Sequence, residues 1–181
     1  MSIVTKKGDK GKTNSLTNVN ISKSSLLIET YGYLDEVNST IGLITGKFAK
    51  SKTFYNLVEI QKSLMLIGSH LADTEQILVK ESHLKKLKGD IQNLEAEIKK
   101  QELKMPKLTN FIVPVGCEKA CLLHIARTKV RALERKVVKL SKKQYVNKYA
   151  LQYLNRLSDY LFSLARYTNY QEGIKDVKWK L

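Results

Sequence analysis

Apolar residues recur at steps of three and four along most of this chain. From Leu26 to about Gly46 the stripe is Leu34, Val37, Ile41 and Ile44. From Phe54 to about Val79 it is Leu57, Gln61, Leu64, Gly68 and Leu71. Ser82 is placed to cap a third helix, in which Leu84, Leu87, Ile91, Leu94 and Ile98 keep a heptad-like rhythm until Pro106 ends it. A fourth runs from about Cys117 to Ser141 through Leu122, Ala126, Val130, Leu133, Val137 and Leu140. A fifth runs from about Asn147 to Tyr170 through Leu151, Leu154, Leu157, Leu161 and Leu164. This period predicts amphipathic helices, and their short connections predict an all-α fold, a five-helix up-and-down bundle. No stretch alternates with the period of a strand, so no sheet is expected, and no internal repeat occurs.

Two stretches fit no helix. Residues 1–24 are rich in Lys, Gly, Thr, Asn and Ser. Residues 107–117, KLTNFIVPVGC, form an apolar loop at Phe111, Ile112 and Val113, held by Pro114 and Gly116. The expected organisation is an N-terminal loop over 1–24 followed by one bundle domain over 25–181. In a helical bundle, function often sits where such loops meet polar helix faces.

Composition agrees with one folded helical domain. The 181 residues are 43% hydrophobic, with two prolines and nine glycines to interrupt helices. Charge changes the picture more. Lys and Arg number 32 against 17 Asp and Glu, a net +15, and such a field attracts nucleic acid, anionic membrane or phosphorylated small molecules. No apolar run approaches the roughly 18 residues of a membrane span. Two cysteines give no disulfide framework, so free thiols in a reducing, cytoplasmic setting are expected.

The N-terminal stretch TKKGDKGKT ends as a phosphate-binding P-loop ends, at Gly11, Lys12 and Thr13. Lys6 stands where that motif needs a glycine, and only MSIV precedes Thr5, too little for the preceding strand. The residues alone leave a nucleotide site of another design, a surface loop and a disordered basic tail all open. On the fourth helix Arg127, Arg131, Glu134 and Arg135 share one side. The plainest reading is a solvated face with an intrahelical Arg131–Glu134 pair. On the fifth, Asn155, Asp159, Phe162 and Arg166 align; on the first, Tyr31, Asp35, Asn38 and Gly42 do. Mid-helix asparagine is a poor choice for stability, and two of them near aspartates suggest buried polar surfaces. Cys117, Cys121 and His124 share a face, but their spacing matches no zinc pattern and lacks a fourth ligand. A packed, uncharged His124 and two buried thiols are the reading preferred.

Taken in order, TKKGDKGKT, Lys23, YGYLDEVNS, FIVPVG, HIARTKVRALER and YLNRLSDYLFSLAR resemble the PduO-type corrinoid adenosyltransferases over essentially the whole length. That resemblance implies a homotrimer with inter-subunit active sites, transfer of the 5′-deoxyadenosyl group of ATP to cob(I)alamin, and release of triphosphate. It implies that residues 1–24 wrap ATP: Gly8 and Gly11 admit backbone N–H groups to phosphate, Thr5, Thr13 and Asn14 hydrogen-bond it, and Lys6, Lys7, Lys12 and Lys23 supply charge. Asp9 would hold a turn or position Mg²⁺ through water. Arg131, Glu134, Arg135 and Asn155 would face the nucleotide. Asp35 and Arg127 would pair between subunits on the corrinoid side, where Phe162 also lies. Phe111 would sit under the corrin ring and displace the lower axial base, easing reduction to Co(I). Magnesium is expected through ATP, with no direct protein ligands, and a flavin or flavoprotein is a candidate reductant. Neither membrane nor nucleic acid is expected as a partner.

Three positions depart from the family pattern: Ala132 replaces a second arginine, Asn20 an arginine and Val115 a glycine. They put ATP affinity and rate in question more than reaction type, with Lys129 or Arg135 as substitutes for the missing arginine. Two other readings stay open at this point. One is a basic helical nucleic-acid-binding protein, which the charge alone supports. The other is a non-catalytic ATP- or corrinoid-binding member of the same fold.

Overall fold

The computed structural model describes residues 6, 8–17, 20–49 and 51–179, with all their side chains except those of Phe54 and Tyr55. Five helices carry the fold: α1 (Leu26–Lys47), α2 (Lys52–Ala72), α3 (Glu81–Glu102), α4 (Glu118–Ser141) and α5 (Lys148–Gln171). A two-stranded antiparallel hairpin, β1 (Lys12–Asn14) and β2 (Asn20–Ser22), precedes them. This corrects the expectation of no sheet. Each strand has only three residues, too few to show a period of two.

Side-chain pairs between helices give the chain direction. Glu29, Glu36 and Lys47 of α1 meet Lys136, Lys129 and Glu118 of α4 in reverse order, so the two run antiparallel. Ser63 and Lys52 of α2 meet Asp90 and Glu97 of α3, again in reverse. α4 and α5 are antiparallel as well, with Asn155 opposite Glu134 and Phe162 opposite His124. The result is the up-and-down bundle that the stripes predict. Val37, Ile41, Leu57, Leu64, Leu133 and Leu154 are fully buried in its core, each contributing roughly 1.5–3 kcal/mol by leaving water.

The helix ends follow local chemistry. Ser25 caps α1 by accepting from Ile28 N–H at 3.3 Å, and Asn147 caps α5 by accepting from Tyr149 N–H at 2.8 Å. α2 stops at Ala72, seven residues short of the predicted Val79. The reason is Asp73, 2% exposed, whose carboxylate accepts from the N–H groups of Ile77, Leu78 and Val79 at 3.1, 2.8 and 2.7 Å. A turn organised on one side chain leaves no helical backbone to continue. α3 therefore starts at Glu81 with Lys80 at the N-cap position, making no side-chain cap, and Ser82 lies inside the helix. Among the described residues no helix is long and apolar enough to cross a membrane.

Candidate active site

Two clefts are lined in part by predicted site residues: Thr13, Asn14 and Lys23 in one, Phe111, Arg127, Arg131 and Phe162 in the other. The first lies under the hairpin. Gly11 takes φ +72, which lets the chain turn so that its carbonyl accepts from Lys23 N–H at 2.9 Å. Gly8 is close-packed: a Cβ there would stand 2.9 Å from Lys23 Nζ. Asp9 N–H closes a turn on the Lys6 carbonyl at 3.4 Å. Lys6, Asp9, Gly11, Lys12, Asn14 and Lys23 are exposed, and Gly8 and Thr13 half-buried. Thr5 and Lys7 lie outside the described residues. The hairpin is anchored on the far end of α2, where Leu16 N–H donates to Ala72 O at 3.3 Å. Beneath it a cleft of about 370 Å³ is lined by Thr13, Asn14 and Lys23 on one side and Leu27, Ile28 and Tyr31 on the other.

The second cleft, about 580 Å³, lies between the α3–α4 loop and helices α4 and α5. It brings together Phe111, Arg127, Arg131 and Phe162. Phe111 is 81% exposed, which excludes a plug in the bundle end. Arg127 lies over the Phe162 ring at 5.9 Å, a cation–π contact, and its buried Nε has no hydrogen-bond partner among the described residues. Burial first, and the charge of Arg131 second, lower the pKa of Arg127; a guanidinium keeps its proton regardless. His124, 5% exposed, faces the same Phe162 ring at 6.0 Å. Burial, then Arg127, push its pKa down to about 4, against a smaller opposing pull from Asp176. It is the packed, neutral histidine expected from the sequence. Cys117 and Cys121 are free and half-buried rather than fully buried.

On the next turn of α4 the predicted Arg131–Glu134 pair gives way to a different contact. Glu134 Oε1 accepts from Asn155 Nδ2 at 3.0 Å, because α5 presents its amide directly across the seam. Arg131 and Arg135 stay exposed beside it. Lys129, a candidate substitute for the arginine missing at Ala132, is paired with Glu36. Asp35 is exposed on α1, and no ion pair joins it to Arg127 among the described residues of this chain.

Sequence reasoning left Arg156, Asp159 and Arg166 out of the site, yet all three line the second cleft. The alignment of Asp159 and Arg166 with Asn155 and Phe162 carried that signal. Nothing in the sequence pattern pointed to the C-terminal segment. It lies antiparallel to the Phe111 loop, with Ile112 bridged to Lys178, Val113 N–H donating to Val177 O and Trp179 N–H to Phe111 O, both at 2.8 Å.

Comparison with known proteins agrees with the helical fold. Residues 3–168 match the family model described as cobalamin adenosyltransferase. The chain is 40% identical to a corrinoid adenosyltransferase of Bacillus subtilis, over 99% of this chain and 93% of that one. It is 37% identical to the corrinoid adenosyltransferase PduO of Salmonella typhimurium, over 92% of this chain and 49% of that longer protein. Among solved structures, a variant of the PduO-type ATP:corrinoid adenosyltransferase from Lactobacillus reuteri, complexed with cobalamin and ATP, superposes with a TM-score of 0.91. It is 34% identical over 99% of this chain and all of that one. The chain therefore belongs to the cobalamin adenosyltransferase family, in its PduO-type branch.

Proposed function

We propose that this protein transfers the 5′-deoxyadenosyl group of ATP to the cobalt of a reduced cobalamin, using both clefts at an interface between neighbouring subunits of a homotrimer. The observation that carries the reading is the second cleft. An exposed Phe111, an aromatic Phe162 and the cations Arg127 and Arg131 meet in one opening, which suits a broad apolar macrocycle with polar edges. The hairpin supplies exposed Lys12 and Lys23 and turn glycines suited to a triphosphate.

Lys23, with Thr13 and Asn14, lines one cleft of the chain, and Phe111, Phe162, Arg127 and Arg131 line another. A neighbour that brings its hairpin to the α4–α5 face would unite them, and would let Asp35 reach the unpartnered Arg127 Nε. Arg131, Glu134, Arg135 and Asn155 would then bind the nucleotide. Phe111 would occupy the lower face of the corrin and exclude the axial base. The Co(I) electron pair forms the new bond to C5′, the C5′–O bond breaks, and its electrons leave with triphosphate. No general base is required, so the protein's work is positioning two ligands and stabilising a departing polyanion.

Magnesium would be held by the triphosphate. The described residues contain no cluster of three His, Cys, Asp or Glu side chains suited to a metal, and the hairpin offers one exposed carboxylate, Asp9. That fits an ion that keeps most of its waters and binds through phosphates. Reduction of Co(II) is assigned to a flavin or flavoprotein acting from outside.

The test is anaerobic incubation of the protein with ATP, Mg²⁺ and chemically reduced cobalamin, followed by the visible spectrum. Light-sensitive adenosylcobalamin, formed only with protein and ATP, is expected. ATP and cobalamin that bind without producing it would leave a non-catalytic protein of the same fold.

A further inference from the structure

Phe111 projects from the loop of residues 106–117, and its own ring makes too little contact to hold it in place: it is 81% exposed. Its position is set by the ends of that loop. At the first end, Arg166 Nη2 donates to the Pro106 carbonyl at 3.1 Å. At the second, the Asn169 amide bridges two backbone groups: Nδ2 donates to Val115 O at 2.9 Å, and Oδ1 accepts from Cys117 N–H at 3.0 Å. The same two side chains' residues hold the C-terminal segment that pairs with the loop. Arg166 Nη2 and Nε both donate to Asp176 Oδ2, at 2.6 and 3.0 Å, and the Asn169 carbonyl accepts from Ile174 N–H at 2.9 Å. Arg166 and Asn169 lie one turn apart on α5 and are 6% and 4% exposed.

Gly116 shows how closely the loop is fitted to this clamp. Its φ is +139, and a Cβ would stand 2.1 Å from Asn169 Oδ1. No side chain fits there while Asn169 bridges the loop. An apolar ring on a short irregular loop would otherwise sample many positions, at an entropic cost on binding. A buried amide whose donor and acceptor are both spent on that loop's backbone removes this freedom. A buried guanidinium whose ion-pair partner is a single carboxylate binds the tail firmly, because separation leaves its charge uncompensated.

We infer that Arg166 and Asn169 are positioning residues of the corrinoid half of the site: they clamp the α3–α4 loop at both ends, together with the C-terminal segment, and so fix Phe111 over the cleft. The inference rests on the role given to Phe111 under the proposed function. Neither residue takes part in the chemistry.

Two variants of the full chain test it, Asn169→Ala on the helix and Asp176→Asn on the half-buried tail; the second carries the test if the first fails to fold. Each is measured in two ways. The first is hydrogen exchange of the amides in residues 107–117, with the helix amides as internal control. The second is the electron paramagnetic resonance spectrum of bound cob(II)alamin with ATP, together with turnover from cob(II)alamin and from prereduced cob(I)alamin. Loop exchange is expected to rise while helix exchange stays put, and the four-coordinate Co(II) signal to fall with cob(II)alamin turnover. The fall should be about tenfold or more, as small misplacements near a reacting centre produce. KM for ATP and turnover of cob(I)alamin should change little. Gly116→Ala should reproduce the pattern, through the clash with Asn169 and the strain of a side chain at φ +139. Four-coordinate cobalt in wild type and both variants alike, with unchanged loop exchange, overturns the clamp alone. A wild-type protein whose cob(II)alamin stays five-coordinate sinks the reading of Phe111, and the inference with it.

Discussion

Asn155 Nδ2 donates to Glu134 Oε1 at 3.0 Å across the seam between α5 and α4. The contact draws Glu134 away from Arg131 and leaves that guanidinium exposed and free of an intrahelical partner carboxylate. If Arg131 steadies the departing triphosphate, Arg131→Ala should lower kcat as well as kcat/KM. The loss of a charge-assisted contact is about 1.5–3 kcal/mol, roughly ten- to a hundredfold. Stability should hardly move, because the side chain lies at the surface. Steady-state kinetics under anaerobic conditions decide this; an unchanged kcat would remove Arg131 from the transition state.

The hairpin calls for a different signature. Lys12 and Lys23 are exposed beside turn glycines, and holding phosphate is the role their charge suits. Lys12→Ala and Lys23→Ala should raise KM for ATP by about ten- to a hundredfold with little change in kcat, as loss of uniform binding does. Gly8→Ala should act in the same direction, since its Cβ would displace the Lys23 ammonium. An ATP titration of all three variants checks this, and wild-type KM values would move the phosphate site elsewhere.

How far these sites were legible depends on the range of the interaction that makes them. The helices show in the sequence because their period is local and their core positions repeat; Val37, Ile41, Leu133 and Leu157 fall where the stripes put them. The end of α2 does not show, because it depends on Asp73 turning back to three later N–H groups with no Gly or Pro to mark the place. The hairpin is too short for its pattern. Glu134 chose a partner from another helix, 21 residues on, where spacing along one helix pointed to Arg131. The C-terminal strap depends on pairing Ile112 with Lys178, and nothing in either segment's composition announces the other. Roles at the site were legible chiefly through family resemblance, since surface arginines and lysines carry no periodic signature of what they bind.

The proposed assembly would pair the open Arg127 Nε with the exposed Asp35 of a neighbour. A homotrimer is expected by light scattering at micromolar concentration. Asp35→Ala should weaken it and lower turnover, leaving each chain's helicity intact. A fully active monomer would contradict a site shared between subunits.

Acid should destabilise the fold through two buried histidines. His70 Nε2 accepts from Asn147 N–H at 3.0 Å, at the start of α5, and burial lowers its pKa despite the pull of Asp73. His124 is lowered to about 4, first by burial and then by Arg127. The sign follows from linkage. Above about pH 6.5, the ordinary histidine value, both states are neutral and nothing is lost. Below it the unfolded chain takes up protons that the folded chain refuses. Stability then falls with decreasing pH until the folded-state pKa is reached, by up to about 1.4 kcal/mol per pH unit for each histidine. Urea midpoints between pH 7.5 and pH 4.5 should therefore drop, and His124→Gln should flatten part of the slope. An equal slope in that variant would place the acid sensitivity elsewhere.

Phe111 separates a corrinoid enzyme from an ATP-binding protein of similar shape. A phenylalanine sealing the core would cost about 3–5 kcal/mol on truncation to alanine, and activity would track the folded fraction. At 81% exposure Phe111 buries too little for that, so Phe111→Ala should change stability by roughly 0.5 kcal/mol or less. ATP binding should persist, because the contacts assigned to the nucleotide come from the hairpin and from the polar side chains of α4 and α5, and none from the Phe111 ring. What should collapse is turnover that begins from cob(II)alamin with a reductant, since the axial base can return to cobalt and make Co(II) harder to reduce. Prereduced cob(I)alamin has already shed that base and should suffer less. The measurement is the ratio of the two rates in wild type and variant. A ratio unchanged by the substitution, with both rates near wild type, would mean that the exposed ring serves neither fold nor reaction, and that the base is displaced by another part of the cleft.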